Sequence, residues 1–133
     1  MAVTVVSQRD GRYRQKAQIG EFEALFVDAP HVVGGDESAP DPHDYFDLSL
    51  GACKAMTAQM YARRKGWPLT GVTAIVNRDE SRERHGLYRL EVVLRFEGID
   101  DPDQLARLTE LSDRCPIHRL MTESTVEITT RRE

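Results

Sequence analysis

The chain has 133 residues, 40% of them hydrophobic and 30% charged, a balance that excludes a disordered or fibrous protein and supplies one core rather than two. Lys and Arg number 18 against 22 Asp and Glu, a formal charge of -4, which is the wrong sign for binding through phosphate neutralisation, so no nucleic-acid partner is expected. The stretch poorest in charge, 45–61, still holds Asp47 and Lys54, and the N-terminus has neither a basic start nor a long apolar run; a cytoplasmic protein without a membrane partner, one domain over residues 1–133, is the expectation.

The first 28 residues read as short strands. Residues 3–7 are rich in β-branched side chains, Arg9-Asp10-Gly11 makes a turn, and 13–19 alternates Tyr13, Gln15, Ala17 and Ile19 against Arg14, Lys16 and Gln18. A third strand follows Gly20, over 22–27. Breakers dominate 29–41, with Pro30, Gly34-Gly35 and Pro40. Asp41-Pro42 then opens a helix, Asp as N-cap and Pro at the first helical position. No proline intervenes before Gly66, so the helix runs about six turns. Arg63, Arg64 and Lys65 complement its negative end and Gly66 closes it. Phe46, Leu48, Leu50, Gly51, Ala52, Cys53, Ala55, Met56, Ala58 and Met60 make it apolar or small nearly all round. Such a helix is buried, and in so short a chain burial requires a sheet around it or a second subunit.

The second half contains the clearest strand. Tyr88, Leu90, Val92, Leu94 and Phe96 share one face, with Arg89, Glu91, Arg95 and Glu97 on the other. Residues 72–77 precede it, and the charged run 78–86 is the expected hairpin tip. Asp101-Pro102 opens another helix, whose stripe of Leu105, Leu108 and Leu111 extends to Cys115. Pro116 ends or kinks it, 117–121 makes a short turn, and 125–130 is a final strand with Val126 and Ile128 inward. The sum is an α+β fold.

The two cysteines, Cys53 and Cys115, admit three readings. They are buried structural thiols, or part of a zinc set with His43 and His118, or a redox pair. Zinc would want two close ligand pairs, and only Cys115 and His118 are close. A redox pair needs a stabilised thiolate, and Cys53 lies about three turns into its helix, too deep for the dipole to help. A cation must come from elsewhere. Arg9, Arg12 and Arg14 are candidates, and Asp44 is an acid that would orient such a guanidinium by a bidentate pair.

The stretch 40–57 (PDPHDYFDLSLGACKAMT), followed at 60–69 by MYARRKGWPL, resembles the OsmC/Ohr family of organic and osmotically induced hydroperoxide resistance proteins. The later Cys115-Pro116-Ile117-His118-Arg119 resembles that family's second-cysteine motif, and Arg9-Asp10-Gly11-Arg12 its arginine turn. The resemblance covers nearly the whole chain and is greatest to the OsmC-like branch. It implies an intertwined homodimer of α+β subunits, antiparallel sheets packed around long buried central helices, with no metal or other cofactor. It also implies reduction of organic hydroperoxides in oxidative-stress defence: Cys53 as peroxidatic cysteine, Cys115 as resolving cysteine, Arg9 as activating arginine, and a dithiol reductant to restore the thiols. The glutamate of the Ohr type falls at His43, and Asp44 supplies a carboxylate one place later. That departure motivates an alternative from another class, a non-catalytic dimeric domain that binds a small molecule or partner.

Overall fold

The computed structural model describes residues 2–133, which form two compact units, residues 2–46 and 47–133. No helix among the described residues is long and apolar enough to cross a membrane.

In the first unit, β1 (Val3–Ser7), β2 (Gln15–Ile19) and β3 (Phe22–Val27) form an antiparallel sheet in that order. Val5 lies opposite Ala17, and Ala17 opposite Leu25; the register shifts between Ala17 and Ile19. The alternation expected around Ala17 holds, since Ala17 is buried while Lys16 and Gln18 are exposed. Val3, Val5, Ala17, Ile19, Leu25 and Val27 line an apolar groove of about 370 Å³. The helix α1 (Pro42–Lys65) begins in this unit. Its start is a reciprocal cap in which the Asp44 N–H donates to Asp41 Oδ1 and the Asp41 N–H to Asp44 Oδ2, both at 2.9 Å.

The second unit holds the rest of α1, the antiparallel pair β4 (Gly71–Asp79) and β5 (Arg89–Glu97), and the helices α2 (Pro102–Ser112) and α3 (Pro116–Glu123). Helix α1 buries Asp47, Leu50, Gly51, Lys54, Ala58 and Ala62. Gly51 permits the close approach to β4: a Cβ there would lie 2.9 Å from Val76 Cγ2. Ala58 and Ala62 pack with Ile99 and Leu108, and Tyr61, Trp67, Leu69, Phe96 and Leu105 close around them. The period-two face of β5 is as expected, Leu90, Val92, Leu94 and Phe96 being half-buried, while Arg89, Glu91, Arg95 and Glu97 on the other face are exposed together with Val93. The end of α1 is also as expected, with Gly66 at φ 70°.

Four expectations need correction. The hairpin tip starts at Glu80, because Arg78 stays in β4, where its Nε donates to Asp47 Oδ2 at 2.7 Å. Cys115 is not on the stripe of α2, which ends at Ser112; it is the N-cap of α3, with Pro116 at the first helical position where a missing N–H costs nothing. The turn expected at 117–121 is part of α3. No strand forms over 125–130, where Val126 and Ile128 are 61% and 82% exposed. The segment alternates as a strand does, but within this unit no strand lies beside it to complete a ladder.

Candidate functional site

The two cysteines reach one place by different routes. Cys53 sits on α1, half-buried, one helical step from the buried face, and its carbonyl accepts the Thr57 hydroxyl at 2.8 Å. Cys115 is fully buried at 0% exposure, and its Sγ accepts the His118 N–H at 3.3 Å, closing the first turn of α3. Both are free thiols, not at disulfide distance from one another, and Cys53 is near enough to act on the Cys115 thiol. Burial pushes the Cys115 thiol up, and the adjacent Cys53 thiol adds to that. The His118 N–H and the Lys54 charge pull the other way.

Lys54 is the site residue that composition and periodicity did not reveal. It is 3% exposed, and a lysine buried that far must be paired or lose its charge. Its Nζ donates to the Ser112 carbonyl (3.3 Å) and to Asp113 Oδ1 (2.9 Å), and lies 2.9 Å from His118 Nδ1. The ammonium thus bonds a carbonyl of the last turn of α2, where a cation is favoured, and reaches across the junction to α3. Because an ammonium only donates, His118 Nδ1 is the acceptor in this contact. The available signal was a charge at a position that shares a helix face with Leu50 and Ala58.

The same contact bears on the zinc alternative. A ligand set built on Cys115 and His118 would place a divalent cation beside a buried ammonium, against Coulomb repulsion in a poorly solvated site. The pairing of His118 with Lys54 fits a thiol site better than a metal one.

Arg9 and Asp44 belong to the first unit. Arg9 is exposed in the connection between β1 and β2, and Asp44 is exposed with one carboxylate oxygen in the cap of α1. Of the other arginines considered, Arg12 is exposed and its N–H donates to Asp36 Oδ2 at 3.4 Å. Arg14 lies over the Phe26 ring, 4.3 Å from its centroid. His43, at the helix start, is half-buried.

On the face of α1 away from the core, Leu48, Ala52, Met56 and Met60 recur at every fourth residue, beside Cys53. Leu48, Met56 and Met60 are 59%, 49% and 61% exposed. The helix is therefore buried on one side only within its unit, and its other apolar side is open.

Comparison with known proteins places this arrangement. No curated protein sequence matches the chain. Among solved structures, an osmotic stress induced and detoxification response protein from Psychrobacter arcticus has a TM-score of 0.75 at 21% identity, over 90% of this chain and 86% of that one. An OsmC like protein from Mycoplasma pneumoniae has a TM-score of 0.71 at 18% identity, over 92% and 86%. An organic hydroperoxide resistance protein OsmC from Legionella pneumophila has a TM-score of 0.64 at 17% identity, over 92% and 88%. At these identities the likeness establishes the α+β fold. The family described as OsmC-like protein matches residues 34–131, a span that holds both cysteines, Lys54 and His118; the chain belongs to the OsmC family.

Proposed function

We propose that this protein is a cytoplasmic thiol peroxidase for organic hydroperoxides, acting as a single OsmC-like domain. The observation that carries the reading is the adjacency of two free thiols, Cys53 and Cys115, next to the buried Lys54 ammonium. The family and the hydroperoxide-resistance protein among its structural relatives support it. In the first step the Cys53 thiolate attacks the terminal peroxide oxygen, the O–O bond breaks, and the departing alkoxide takes a proton to become the alcohol. Cys53 is left as sulfenic acid. Cys115 then attacks that sulfur, the S–S bond forms, and the hydroxyl leaves as water. A dithiol reductant restores both thiols by exchange. Arg9, from the family's turn motif, is the proposed cation for thiolate and alkoxide, with Asp44 orienting it. The chain's own groups carry this scheme without a metal or other cofactor.

The test is intact mass after one equivalent of cumene hydroperoxide. Loss of two hydrogens is expected, with both thiols then refractory to alkylation until a dithiol is added. An unchanged mass with both thiols still titratable would sink the proposal and leave a binding module as the better reading.

The working form is proposed to be a homodimer. The open apolar stripe Leu48–Ala52–Met56–Met60, the two-stranded β4–β5 pair and the unpaired 125–130 segment are each of the kind that a second copy would cover. Light scattering should give twice the 15.1 kDa of the chain. A solution mass of a single chain would remove this part of the proposal.

A further inference from the structure

Lys54 is adjacent in sequence to Cys53, but its side chain serves the other cysteine. Its three partners are Ser112, Asp113 and His118. They lie on both sides of Cys115, two belonging to the end of α2 and the connection that follows, one to the first turn of α3. A rigid ammonium contact to both flanks fixes where the Cys115 sulfur sits relative to α1, and so to Cys53. We infer that Lys54 is the positioning residue of the resolving step: its ammonium holds the α2–α3 junction against α1 and supplies the positive charge under which Cys115 attacks as a thiolate. The inference deepens the thiol-peroxidase reading and rests on it for the identity of the reaction.

The chemistry balances without a further reactant. Cys115 releases its proton, the thiolate pair forms the bond to the Cys53 sulfenic sulfur, the S–O bond breaks, and the departing hydroxide combines with a proton as water. The sulfenic sulfur is reduced and the thiolate sulfur oxidised, one electron's worth each. Lys54 neither gives nor takes an atom. Its charge stabilises the anion that must form inside a buried site.

The titratable groups that act on Cys115 are Cys53 and Lys54 from α1 and His118 from α3; Asp113, from the junction, reaches it through Lys54 and His118. Their signs make the inference sharp, because the Lys54 charge pulls the Cys115 thiol down while the Asp113 carboxylate, 2.9 Å from that ammonium, offsets the charge. The Asp113 side chain is 69% exposed, so Asp113→Asn will leave the fold intact where Lys54→Gln risks disturbing it. A purely structural clamp would be weakened by either change and would not divide them by sign.

The experiment has two arms. Without peroxide, ultraviolet thiolate absorbance is followed against pH in Cys53→Ser, Cys53→Ser/Lys54→Gln and Cys53→Ser/Asp113→Asn, so that Cys115 is the sole thiol. The midpoint should rise by about one pH unit in the Lys54 variant and fall in the Asp113 variant. With one equivalent of cumene hydroperoxide and dimedone, Lys54→Gln should accumulate the Cys53 sulfenic adduct, and its disulfide should close about tenfold more slowly than in the parent protein. A midpoint unmoved by Lys54→Gln, or moved in one direction by both variants, overturns the assignment. If the midpoints divide as stated while the parent protein never oxidises, Lys54 still sets the Cys115 thiolate and the peroxidase reading alone fails.

Discussion

Replacing Cys53 by serine is expected to lower the rate of organic hydroperoxide consumption by about a thousandfold or more, roughly 4 kcal/mol of transition-state stabilisation. A serine hydroxyl is a weak nucleophile at its free pKa, far weaker than a cysteine thiolate. The companion change has a different signature. Cys115→Ser should consume the first equivalent of peroxide and then not turn over, because Cys53 sulfenic acid has no thiol to condense with. Excess peroxide should drive it on to sulfinic acid, a gain of two oxygens by intact mass. Peroxide loss and mass, followed together in the three proteins, separate the roles. Consumption that survives in Cys53→Ser but vanishes in Cys115→Ser would exchange the two assignments. Equal rates in all three would end the thiol mechanism.

How far the sequence reveals this site depends on which physical signal each residue leaves. The start of α1 was legible because Asp41 and Pro42 have a stereochemical role there that few residues share. The β5 face was legible because a half-buried strand imposes a period of two. Cys115 was misplaced because the leucine stripe of α2 points to it at helical spacing, whereas the proline that follows starts a new helix and makes the cysteine its cap. The burial of Lys54 is hard to read because an apolar helix leaves its buried face ambiguous: Leu50 and Ala58 share the side of Lys54, but a lysine ordinarily marks an exposed one. Only the contacts of Gly51 with Val76, and of Ala58 and Ala62 with Leu108, decide that. The 125–130 segment shows the reverse error. Alternation reports the capacity to pair, and pairing needs a neighbour that the unit does not provide.

A second large effect is expected away from the thiols. Asp47 is 7% exposed on the core face of α1, where Oδ2 accepts Arg78 Nε at 2.7 Å and Oδ1 accepts the Tyr88 hydroxyl at 2.8 Å. One carboxylate thus ties the helix that carries Cys53 to β4 and to the residue preceding β5. Asp47→Ala should destabilise the protein by about 3 kcal/mol, because it removes the buried carboxylate that Arg78 and Tyr88 share and leaves Arg78 to the more exposed Glu80, 3.8 Å from its guanidinium. That loss is at the low end for a buried pair, since the Arg78 side chain retains 21% exposure. Asp47→Asn, which keeps an acceptor and the shape, should cost about half as much. Thermal unfolding reads both, with a fall of about 10 °C for the alanine variant. A melting temperature within about 2 °C of the parent would show that the network is not a stabilising one. The phenol adds a pH signature with a definite sign. Burial, and after it the hydrogen bond and charge of Asp47, raise the Tyr88 pKa above its ordinary 10.0. Below pH 10 the phenol is protonated in both the folded and the unfolded chain, and its contribution to stability is fully present. Above that, the unfolded chain releases the proton while the folded one retains it, so stability falls by about 1 kcal/mol per pH unit. Tyr88→Phe should therefore be less stable than the parent at neutral pH yet lose less between pH 10 and pH 11. Parallel alkaline limbs in the two proteins would contradict this account.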